Sequence, residues 1–163
     1  MSMIGNVLVA SDAQLATLLS DPDSIADFLD DEAEKPAARA LDIDKAWHAI
    51  HFLLTGEPWD GALPLGFVVT GGATIGDVDV GYGPARAFRS DEVRAIAAAL
   101  APITVEHLMT RWEPEAIRAA ELYGVDPDRR DEEAGYVGGH FDALEAFVAA
   151  AAQDGLGMIV YLS

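Results

Sequence analysis

Cysteine is missing altogether from the 163-residue chain. Its absence removes disulfide staples, thiolate metal sites and a cysteine nucleophile together, and it fits a reducing compartment. Basic residues are scarce as well: Lys and Arg number 10 against 28 acidic residues, for a formal charge of −18. A surface of that sign repels nucleic-acid backbones and anionic membranes unless a local basic patch overrides it. No such patch is visible, because Arg129 and Arg130 sit among Asp126, Asp128, Asp131, Glu132 and Glu133. The chain therefore points away from nucleic acid and membrane. A basic protein is the partner its charge suits.

Long hydrophobic runs are also lacking. The most apolar late stretch, Leu144 to Ala152, is too short to cross a bilayer and contains Glu145. The opening MSMIGNVLVASDAQ has neither the basic segment nor the long apolar run of a signal peptide, so it reads as structure. A cytoplasmic location is the expectation. Serine is sparse and no Gly-x-Ser-x-Gly elbow occurs, which argues against a serine hydrolase.

What is present is enough for one core. With 51% hydrophobic residues and 163 positions, a single domain over residues 1–163 is expected. Met3 to Ala10 reads as a strand, followed by a helix that Ser11 caps with Gln14 as capping-box partner. Asp21-Pro22-Asp23 ends that helix, and a second one carries Ile25, Phe28 and Leu29 on one side. Between Asp21 and Glu34 lie seven acidic residues and no basic one, a run that suits a solvated face or a docking surface. Ile43, Trp47, Ile50, His51 and Leu54 recur at helical spacing, and Ala46, Ala49, Phe52 and Leu53 cover most of the remaining circumference. A helix apolar nearly all round belongs in the middle of the fold, and Gly56 is placed to end it. Phe67 to Thr70 has strand composition but is too short to assign, and the glycine-rich 71–83 segment reads as a shaped loop. Ala85 to Phe88 suggests a strand leading into a helix capped by Ser90. Thr104 and Pro114 open two further helices, Gly124 to Gly139 shows no clean period, a helix spans about His140 to Gln153, and Met158 to Leu162 closes as a strand. Few strands and many helices predict an α+β fold, a small mixed β-sheet with several helices packed against it.

Several stretches taken in order carry a resemblance: MSMIGN at 1–6, LDIDKAWHAIHFLLTG at 41–56, GG at 71–72, GYGPARAF at 81–88, Leu-Tyr at 122–123 and the closing FDALEAFVAAAAQDGLGMIVYL. Together they resemble the YfbM-like family of small bacterial proteins (domain of unknown function 1877). That family's usual motif has a proline directly after the tyrosine, whereas Tyr123 is followed by Gly124. The resemblance implies an α+β fold and supplies no established catalytic residues.

Candidate sites are few. His48-x-x-His51 places two imidazoles three residues apart, and a metal would need a third ligand such as Asp44, His107 or His140. The zincin signature is absent, so no metal is expected. His51 reads instead as a core histidine beside Trp47, held by a buried hydrogen bond, with His48 nearer the helix flank. Asp42 and Asp44 are placed to cap the central helix. Arg86, in GYGPAR, calls for a bidentate anionic partner, either an aspartate of the central helix or a ligand, with Tyr82 beside it. The run GGATIGDVDVGYG lacks the Gly-Lys-Ser/Thr of a phosphate loop, and it has neither the central glycine nor the final glutamate of a calcium loop. The sequence thus offers a ligand-binding set of Asp44, Trp47, His51, Tyr82 and Arg86, no catalytic residue and no cofactor. It suits a non-enzymatic binding or regulatory, inhibitor-like protein, or else a small-molecule-binding protein or enzyme with a pocket near His51, Tyr82 and Arg86. Whether it is an enzyme stays open at this level.

Overall fold

The first strand, β1 (Gly5–Ala10), alternates its side chains between two apolar layers, as a strand buried on both faces must. Val7 and Val9 join Phe88, Met158 and Val160 in a large core, while Leu8 and Ala10 join Ala85, Ala87 and Ile159 in a smaller one. The computed structural model describes residues 2–163, so Met1 of the MSMIGN stretch lies outside the described residues.

The chain folds as one α+β domain. Strand β1 is followed by α1 (Asp12–Ser20), α2 (Ile25–Ala33), β2 (Ala40–Asp42) and α3 (Trp47–Thr55). Then come β3 (Ala73–Asp79), β4 (Pro84–Phe88), α4 (Ser90–Leu100), α5 (Val105–Met109), α6 (Pro114–Ala119), α7 (Arg130–Gln153) and β5 (Gly157–Leu162). The sheet order is β2-β1-β5-β4-β3, and every recorded pairing is antiparallel. The expected α+β class holds, but the sheet is antiparallel rather than mixed. Helices α1 and α2 serve the smaller core, whereas α3, α4 and α7 pack into the larger one.

Local chemistry explains most boundaries. The Ser11 hydroxyl accepts from Gln14 N–H at 3.1 Å, and Gln14 Oε1 accepts from Ser11 N–H at 2.9 Å, the reciprocal cap that starts α1. Gly56 ends α3 at φ 80°. At α4 the anticipated Ser90 cap is replaced by a cross-helix arrangement. Ser90 is the first helical residue, and its N–H and hydroxyl both donate to Asp12 of α1, at 2.8 and 2.6 Å.

Three regions depart from the sequence expectation. Ala73–Asp79 is a strand, not a loop: Ala73 pairs with Ala87 and Thr74 with Arg86 before the register breaks near Gly76, which sits at φ 60°. Phe67 and Val68 belong to a short 3-10 turn, Leu65–Val68. Helix α7 begins at Arg130, ten residues before the expected start, because its glycines at 135, 138 and 139 blur the period without stopping the helix. Gly138 in fact permits close packing, since a Cβ there would stand 2.6 Å from Val105.

Candidate functional site

Helix α3 buries seven residues of nine, both histidines among them. Neither ring reaches water, so each polar nitrogen must find a protein partner or go without. His48 finds two: its Nε2 lies 2.9 Å from the Pro58 carbonyl, and its Nδ1 lies 2.9 Å from the Tyr123 N–H. A backbone N–H only donates, so Nδ1 accepts and the proton sits on Nε2. Burial, only partly opposed by the Pro58 carbonyl, pushes the His48 pKa down to about 4. The placement of His48 on the helix flank is thereby corrected, for it is as buried as His51.

His51 has the core position anticipated for it, with Nε2 2.6 Å from the Asp60 carbonyl. Its Nδ1 is buried with no hydrogen-bond partner among the described residues. Burial lowers its pKa, the Asp60 carbonyl opposes that, and the charge of Arg86 lowers it further.

Arg86 departs from the expected pairing with Asp42 or Asp44. Its guanidinium donates to the carbonyls of Thr70 (2.6 Å), Gly71 (3.1 Å) and Val68 (2.6 Å), and its carbon lies 5.5 Å from the centre of the Phe88 ring. No carboxylate among the described residues forms an ion pair with it. Burial alone pushes its pKa down to about 10, which leaves it charged at neutral pH. His48, His51 and Arg86 thus satisfy five carbonyls of one segment, residues 58–71. That segment is a strap laid across α3 and β4, and these side chains fasten it.

The strap also displays apolar surface. Trp59 is 53% exposed, yet its ring lies 4.5 Å from that of His48 and 5.8 Å from that of Trp47. Trp47 itself is fully buried, stacks on His48 and donates from its indole to the Met3 carbonyl at 3.1 Å. Asp44 stands elsewhere, accepting from the Tyr136 hydroxyl at 2.7 Å and so docking α7 on the entry to α3. Asp42 Oδ1 accepts from Asp44 N–H at 2.6 Å, a local turn rather than a cap within the helix. Tyr82 occupies the turn between β3 and β4, where its N–H donates to Leu162. The structure therefore brings His51 near Arg86 and places Asp44 with α7. The sequence reads Glu57 to Pro64 as a loop with Trp59 inside it, which holds, but it gives no sign that His48, His51 and Arg86 fasten this loop and its continuation to Gly71. No three His, Asp or Glu side chains among the described residues are grouped to hold a metal.

On the opposite side of the sheet the chemistry is charge. Of the seven acidic residues from Asp21 to Glu34, only Glu32 turns inward, where Lys35 and Arg39 bind it. Burial raises its pKa, but hydrogen bonds from Lys35 and Arg39 outweigh that and keep it ionised. The other six are exposed, and none forms an ion pair within the described chain. No helix of the described residues is long and apolar enough to span a membrane.

An antiparallel five-stranded sheet with α1 and α2 on one face and the larger helical core on the other defines a single α+β domain. The chain belongs to the family described as domain of unknown function (DUF1877), whose model matches residues 1–161. It is similar in structure to YfbM from Escherichia coli, a protein of unknown function, with a TM-score of 0.76, 23% identity, and coverage of 98% of this chain and 99% of that one. No curated protein matches. The YfbM-like resemblance is therefore confirmed at the level of family and fold. One position of the family motif stays distinctive here: Gly124 sits at φ 81°, a conformation closed to proline.

Proposed function

We propose that this protein is a non-enzymatic binding or regulatory domain, inhibitor-like in character, that engages a basic protein partner. The observation carrying this reading is the set of six exposed carboxylates between Asp21 and Glu34 that no cation of the described chain neutralises. In a chain of charge −18 such a face raises the rate of encounter with a positively charged surface and discriminates against acidic ones. The histidines and Arg86 support the same reading from the other side, since their donors are committed to backbone carbonyls and not offered to a substrate. The test is affinity capture with the tagged protein at low and high salt, with wild type beside the double variant Asp27→Asn, Asp31→Asn. A basic protein retained at low salt, released by salt and lost with the variant supports the reading. Retention that ignores both changes counts against it.

One observation favours a second reading, a small-molecule site narrowed to His51 and Arg86, since Asp44 and Tyr82 are held elsewhere. The lone pair of His51 Nδ1 is buried without a partner near a guanidinium that has no counter-charge. An anion carrying a hydrogen-bond donor would answer both. Displacement of the His51 and Arg86 NMR signals by a small anionic compound, with the acidic face unmoved, would favour it over the first.

A further inference from the structure

Helices α1 and α2 do not close completely over the smaller core. Leu15, Leu18 and Ile25 seal their base, but outside them a groove of about 340 Å³ opens, with Leu18 and the half-buried Phe28 as its floor. Thr17 and Ser24 line its sides, and Asp27 and Asp31 stand on its rim.

Two features of this groove ask for an occupant of one chemistry. First, Asp27 and Asp31 lie four residues apart on α2, where like charges are neighbours and repel. A helix that accepts this repulsion beside further acids at 30 and 34 has no cation of its own to relieve it, because Lys35 and Arg39 are drawn to Glu32. Second, the floor is apolar while the rim is anionic. A hydrophobic side chain fits the floor, and ammonium or guanidinium groups on either side of it meet the rim.

We infer that the α1–α2 groove receives a basic segment of a partner protein, with one apolar side chain seated between Leu18 and Phe28 and flanking Lys or Arg side chains at Asp27 and Asp31. This rests on the reading of a basic protein partner given above and adds where, and by what pattern, that partner is held. Recognition divides accordingly: the rim charges govern encounter and salt sensitivity, and the apolar seat governs how long the segment stays.

The experiment titrates the full-length, isotope-labelled protein with two synthetic peptides of equal length, one of lysines alone and one of lysines with a central leucine. The leucine peptide should bind more tightly than the lysine peptide and shift the amides of Leu18, Ser24 and Phe28 most. The double variant Asp27→Asn, Asp31→Asn, at two exposed positions whose change leaves the core intact, should weaken its binding about tenfold. Phe28→Ser should erase the advantage of the leucine peptide while leaving the lysine peptide unchanged. Shifts centred on another face, or equal binding of both peptides, would overturn the groove inference and leave the basic-partner reading standing. If neither peptide binds at low salt, the basic-partner reading itself falls, and the groove inference with it.

Discussion

On one face of the sheet, polar side chains are buried and bonded; on the other, six carboxylates stand in water without an ion pair among the described residues, Glu32 alone being buried and paired. The buried His48 and His51 and the half-buried Arg86 belong to the first arrangement, and Asp27 and Asp31 to the second. The residue types that most suggest chemistry in the sequence are those the fold uses as fasteners. The residues easiest to dismiss as a solvated surface are those left without a structural task. Burial makes the difference. A buried donor without an acceptor costs about 1–3 kcal/mol, so the strap carbonyls and the side chains facing them stabilise each other, whereas an exposed carboxylate is equally well hydrated folded or unfolded.

That contrast predicts a graded series of effects on stability. Trp47→Ala should cost most, about 3–5 kcal/mol in urea unfolding, because it empties the largest fully buried side chain and strands the Met3 carbonyl. A loss below about 1 kcal/mol would mean that the large core tolerates a void there, and the two faces would differ less than their packing suggests.

Acid should come next. The buried His48 stays neutral down to a pKa of about 4, while in the unfolded chain it takes a proton as pH falls through 6.5. Its contribution is therefore whole above pH 6.5, declines between 6.5 and about 4, and is gone below. The window is worth roughly 3 kcal/mol, and His51, lowered in the same direction, adds to the slope. Unfolding measured at both ends of that window should show His48→Gln with a shallower pH dependence than wild type. Equal slopes would place the acid sensitivity in other groups.

Arg86→Met should cost about 2 kcal/mol, since three carbonyls lose a charged donor and part of that loss is made good by water. Hydrogen exchange should then quicken across residues 58–71 and leave α1 unaffected. Uniform acceleration would mean that Arg86 supports the whole sheet and not the strap.

The smallest effect belongs to the acidic face. Neutralising Asp27 and Asp31 together should alter stability by no more than about 0.5 kcal/mol, and in the stabilising direction, because repulsion is removed. A loss above about 1 kcal/mol would give those carboxylates a structural role and dissolve the comparison.

How much of this was readable in advance depended on whether one segment carried the signal. The central helix declared itself through Trp47, Ile50 and Leu54, and its end through Gly56, because helix periodicity and left-handed caps are local. The Ser11–Gln14 box and the Thr104 cap were legible for the same reason. Strand β3 was not, since Gly76 and Asp77 interrupt the alternation and its pairing with β4 is a tertiary event. The carbonyl partners of Arg86 were not legible either. Side-chain chemistry asks for an anion at an arginine, and only the folded path of residues 68–71 offers three backbone oxygens in its place. His48 was misplaced because its second partner, Tyr123, lies 75 residues away in the chain.

Strand order carries a consequence for how the protein is made. Strand β5 is the last of the five in chain order, yet it lies in the middle of the sheet, bonded to β1 on one side and β4 on the other. The β1–β2 and β3–β4 pairs each keep an edge unpaired until Gly157–Leu162 is made, because no other strand pairing among the described residues joins them. Pairing across that sequence distance is slow, and a waiting edge is a template for another nascent chain.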